Sequence, residues 1–229
     1  MSQNLLFVLI PVVAAILGAV LTANLLLSER VVSAFQHLAA GVVFAAAASE
    51  ILPELKHSGA ALPVVIGGGL GVVVMLGIKQ LEERVKGPVG LASTIAIDLL
   101  VDGVALGLSF AAGARAGILL TVALTLEVLF LGVTVTSELA ETITRKTTVV
   151  LLTAGLVLMM PVGVAAAIPL GALPPAVLTG CFAFALVALL YLVTEELLVE
   201  AHEKPDTPLI SAMFFVGFLA LLLLDDLVS

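Results

Sequence analysis

The sequence predicts an all-α polytopic membrane protein of eight transmembrane helices, and three observations carry that prediction. Apolar runs of about 20 residues, the length needed to cross a bilayer core, recur along nearly the whole chain. Of the 229 residues 62% are hydrophobic and only 11% charged, with a mean hydropathy of +1.29, too little charge to clothe a soluble domain. The runs are separated by short polar or Pro/Gly punctuation and by no long loop, so residues 1–229 read as a single transmembrane domain.

The spans follow in order. The first covers 4–27 and stops at Ser28-Glu29-Arg30; without a basic leader, and with seven further spans behind it, it reads as a retained helix and not a signal peptide. The second, 32–55, ends at KHSG, and the third, 60–79, at EERVKGP. The fourth, 88–112, and the fifth, 116–139, are separated by AGAR; ETITRK then leads into the sixth, 147–169. Within the sixth, Pro161 and Gly163 predict a packing bend. The seventh, 174–202, starts at LPP, and HEKPDTP separates it from the eighth, 208–227.

Arg30, Lys79, Arg84, Lys86, Arg145, Lys146 and Lys204 fall at one end of this alternating path, and only Lys56 and Arg115 at the other. The positive-inside rule places the first end in the cytoplasm and both termini outside. The expected setting is a prokaryotic plasma membrane. A net charge of −8 with no basic stripe excludes nucleic acid as a partner. Cys181 is the single cysteine, so neither an internal disulfide nor a cysteine metal site is available. Apolar faces rich in small residues permit a homodimer. Residues 50–55, EILPEL, echo residues 196–201, ELLVEA, at the ends of oppositely directed spans. That echo predicts an inverted repeat of helices one to three and six to eight around helices four and five.

Ionisable residues sort by depth into three sets. Glu50, Glu54, Asp225 and Asp226 lie near the outer end, where they would gather cations. His37, Glu195, Glu196, Glu200 and His202 lie near the inner end and form a candidate exit. Asp98, Asp102 and Glu127 stand at mid-depth. Asp98 and Asp102 share one helix face at i and i+4, and Glu127 stands at a similar distance from the outer end of the next helix. Each Asp at a bilayer centre costs roughly 2.5–3.5 kcal/mol on the insertion scale. Three carboxylates with no Lys or Arg beside them repel one another when ionised, so they need a cation or protons. Oxygen ligands suit a divalent ion; polar glue between helices is the competing use. Gly103 with Gly107, and Gly67 with Gly71, form small-residue pairs read as helix packing.

Three stretches resemble the ZIP family of divalent-metal transporters. HLAAGVVFAAAASEILPEL in the second span is similar to the family's stretch ending in Leu-Pro-Glu, and DLLVDGVALG in the fourth to its His-Asn-x-x-Glu-Gly pattern. YLVTEELLVEAH in the seventh is similar to the Tyr-Val stretch leading to Glu-x-x-Pro-Glu, with Val199 at the proline. The resemblance implies metal transport toward the cytoplasm, with Zn, Fe(II), Mn or Cd as substrate. Against the pattern, Asp98 stands at the family's His, Leu99 at its Asn and Asp102 at its Glu; EVLFLG and Met160-Pro161 replace the fifth- and sixth-helix motifs. Leu99, Val128 and Met160, at the positions that hold a second metal in relatives, are apolar. The expectation is one mid-membrane site of Asp98, Asp102 and Glu127, tilted by its all-oxygen chemistry toward harder ions. EERVKG stands where many relatives carry a His-rich loop. An intramembrane aspartyl protease would need carboxylates from two helices around one water; Asp98 and Asp102 share a helix, and no enzyme activity is expected. A proton or another cation as substrate, or metal binding without transport, is the alternative.

Overall fold

In a bilayer core no water satisfies the backbone, so an apolar chain must close its hydrogen bonds internally. Among the described residues every regular element is helical. A computed structural model describes residues 6–24, 28–85, 87–203 and 207–228. Lys86 and Lys204, which enter the orientation count, and both ends of the first predicted span lie outside them.

The helices are α1 (Leu9–Asn24), α2 (Glu29–Lys56), α3 (Ala61–Leu81), α4 (Val89–Ala112), α5 (Ala114–Thr142), α6 (Lys146–Ala172), α7 (Pro175–Glu203) and α8 (Pro208–Leu227). The seven from α2 to α8 are long and apolar enough to cross a membrane; α1 is a shorter apolar helix. Polarity is arranged as in an integral membrane protein. Leu62 is 70% exposed and Leu151 72%, whereas Asp98, Asp102, Glu127, Thr121 and Thr136 are buried. A soluble protein reverses that arrangement.

Four helix pairs dominate the packing: α1 with α5, α4 with α6, α3 with α7, and α2 with α8. Lipid is as apolar as leucine, so close approach of backbones and van der Waals contact must hold such pairs. A methyl group on Gly18 of α1 would overlap the Leu129 carbonyl of α5, and one on Gly132 of α5 would overlap the Ala15 carbonyl of α1. The α4–α6 pair is built the same way, with Gly103 against the Met160 carbonyl and Gly163 against the Leu100 carbonyl. Gly67 lies against Gly180, so its motif serves packing as expected.

Among the described residues α2, α6 and α7 depart from regular winding with a local cause, and α8 is interrupted at Ala212. Proline lacks the N–H that would reach back four residues. In α6 the winding is interrupted at Leu158, beside Val157, the residue whose carbonyl Pro161 leaves unpaired. The interruption falls about a turn ahead of the proline. In α2 a wide π-turn at Ala47–Ile51 precedes Pro53. In α7 a π-turn at Leu192–Leu197 forms without a proline. There the Thr194 hydroxyl donates back to the carbonyls of Leu190, at 2.9 Å, and Tyr191, a contact that loosens helical winding.

Candidate metal centre

The i and i+4 spacing puts Asp98 and Asp102 on the face of α4 that turns toward α5, and Glu127 meets them from α5. One ligand atom from each of the three lies within 4.8 Å of the others. All are buried, at 5%, 2% and 1% exposure respectively. Metal–oxygen bonds of about 2.0–2.6 Å put the oxygens around one ion roughly 3–5 Å apart, so the spacing fits a single cation.

Electrostatics favour the same reading. None of the described Lys or Arg side chains is buried, so among the described residues no buried cation balances the triad. Asp102 Oδ2 and Glu127 Oε2 are buried with no hydrogen-bond partner among the described residues. A buried carboxylate oxygen without a partner costs free energy that a bound cation or a proton recovers. Leu99, Val128 and Met160 are each 0% exposed and supply no oxygen or nitrogen ligand from their side chains.

Asp98 and Glu127 open toward the end of the bundle that carries Lys79 and Glu195. A cavity of about 20 Å³, room for one water or one bare ion, is lined by Asp98 and Glu127 together with Gln36, Thr134, Glu196 and Glu200. Asp98, Glu196 and Glu200 also line a vestibule of about 340 Å³, joined there by Glu138, Glu195, Glu203 and Lys79. Carboxylates thus continue from the buried centre to the surface. Gln36 donates to Glu200 Oε2 at 2.6 Å, and Lys79 donates to Glu195 Oε2 at 2.9 Å.

The small cavity joins two of the expected exit residues, Glu196 and Glu200, to the mid-depth set. Glu196, grouped with the inner end, lines the same small cavity as Asp98 and Glu127. Thr134, Glu138 and Gln36 were absent from the candidate residues. Thr134 and Glu138 follow Glu127 at i+7 and i+11, so helical spacing carried a signal for both.

At the opposite end Glu50 and Glu54 are half-buried and Asp226 is exposed. Asp225 is committed to Arg115, whose Nε–H donates to its Oδ1 at 2.8 Å and whose Nη2 donates to its backbone oxygen at 3.1 Å. Arg115 is 45% exposed, and exposed pairs contribute little. Arg115→Gln is expected to shift stability by less than about 1 kcal/mol, read from thermal melting in detergent.

No family model matches the chain, and no curated protein matches it.

Proposed function

We propose that the protein is a ZIP-type divalent-cation transporter that moves metal toward the cytoplasm through one mid-membrane carboxylate site. The observation that carries this reading is the buried triad, with two unpartnered oxygens, no buried cation beside it and a carboxylate-lined path to the inner end. The substrate is Zn, Fe(II), Mn or Cd, with oxygen ligands favouring the harder ions. The vestibule is the release route, and Glu196 and Glu200 receive the ion there. Both termini face outward in this reading, and the protein is a carrier and not an enzyme.

Alternating access in this scheme uses an inverted repeat of α1–α3 and α6–α8 around α4–α5. The paired contacts support it. One offset in the sequence carries Ala15 to Met160 and Gly18 to Gly163; another carries Leu100 to Leu129 and Gly103 to Gly132. These are the residues of the two reciprocal glycine contacts. The second offset also carries Asp98 to Glu127, so the repeat supplies two of the three ligands as equivalents. Asp102 breaks the symmetry, because its counterpart is Leu131.

Uptake of Mn, Fe(II), Zn and Cd into proteoliposomes tests the proposal. Metal accumulation above that of empty vesicles is expected; proton movement without metal would favour the proton as substrate, and no flux of either would sink transport altogether. Carboxylates must shed protons to bind metal, so protons and metal compete for the same oxygens. Mn(II) affinity in detergent is therefore expected to weaken as pH falls, by about tenfold per pH unit for each proton displaced. An affinity that stays unchanged down to about pH 4 would contradict carboxylate ligation.

A further inference from the structure

Two histidines far apart in sequence meet at the inner end. His37 is buried on α2 and His202 is exposed near the end of α7, with ring centroids 4.9 Å apart and planes inclined at 68°. The rings are not stacked face to face. We propose that His37 and His202 form a second cation site, an imidazole pair that takes a borderline divalent ion such as Zn(II) or Co(II).

Hydrogen bonding sets the tautomer of both rings. His37 Nδ1–H donates to the Ser33 carbonyl at 2.9 Å, and His202 Nδ1–H donates to the Leu198 carbonyl. A carbonyl oxygen only accepts, so each Nδ1 carries the proton and each neutral ring keeps its lone pair on Nε2. This is the second-shell arrangement that prepares imidazole for a metal. The spacing also fits. With metal–nitrogen bonds of about 2.0–2.1 Å, two imidazoles on one tetrahedral ion have centroids about 5 Å apart. Water completes the coordination, since His202 stands on the wall of an open cavity beside Glu203.

The pair is held from both sides. Ser33 Oγ donates to the Ala201 carbonyl at 2.9 Å, and Gln36 donates to Glu200, so α2 and α7 are cross-linked where the rings meet. Glu203, beside His202, also lines the vestibule. The imidazoles therefore stand at the rim of the path that starts at the carboxylate centre. They differ from it in chemistry: nitrogen ligands favour Zn, Co, Ni and Cu over Mg or Mn.

The inference does not depend on transport, and its test removes the central site first. Full-length protein carrying Asp102→Asn and Glu127→Gln is titrated with Co(II) in detergent and followed by visible absorption. One Co(II) per chain with nitrogen-ligand bands is expected. His37→Gln or His202→Gln in that background should weaken binding on the order of 100-fold, and His57→Gln, at the remaining histidine, should leave it unchanged. His202 is exposed, so its variant carries the test even where His37→Gln fails to fold. No Co(II) binding in the background protein, equal binding after His202→Gln, or loss on His57→Gln would each overturn the site and leave the rings as helix packing.

Discussion

Asp102→Asn is expected to abolish metal uptake while the metal-free protein melts at the same temperature or higher. Asn keeps the size of the side chain and removes one charged ligand, so metal affinity at the centre should fall on the order of 100-fold or more. The stability effect runs the other way for a physical reason. Asp102 is 2% exposed, Glu127 is 1% exposed, and among the described residues no buried Lys or Arg offsets them. Removing a buried charge that lacks a partner relieves a desolvation cost instead of breaking a stabilising pair. Glu127→Gln should behave alike, and the double variant should lose little beyond either single one because the site is already broken. Mn(II) calorimetry, proteoliposome uptake and melting in detergent separate the two effects. If Asp102→Asn melts markedly lower and still moves metal, the triad is polar glue between α4 and α5, and the transport site lies elsewhere.

Gly103→Leu is expected to cost about 3 kcal/mol or more, and to lower the yield of monodisperse protein sharply. The position follows Asp102 directly, yet its importance is steric. Any Cβ there meets the Met160 carbonyl of α6, and backbone does not yield as a flexible side chain does. Gly163 makes the reciprocal contact with Leu100, so the α4–α6 pair can accept bulk on neither side. Gly155, also on α6, is the control: a Cβ there meets nothing within 4 Å, and Gly155→Leu should fold normally. Equal tolerance of both variants, read from size-exclusion profiles and melting, would show that α4 and α6 do not pack as closely as described. Because α4 also carries Asp98, a partly folded Gly103 variant should lose metal binding as well.

Hydropathy and helical spacing made the helices and the heart of the site readable. An apolar run of bilayer length leaves the backbone no alternative to helix. The i and i+4 spacing of Asp98 and Asp102 needs no tertiary information, and counting from the helix ends brings Glu127 to their level. Partner choice was not readable, because helices that are apolar on nearly all sides show no stripe to say which neighbour each one faces. Hence the order of residues did not show that Glu196 reaches the cavity of Asp98 and Glu127, or that Arg115 holds Asp225. His37 and His202 are the clearest case: depth sorting puts both near one end, and only the packing of α2 against the end of α7 brings their rings together. Length, apolarity and the spacing of charges are local properties, and the chain alone fixes them. Which charges share a cavity depends on backbone approach at residues such as Gly18, Gly103, Gly132 and Gly163, where carbonyls of the neighbouring helix come close enough to exclude a single methyl group.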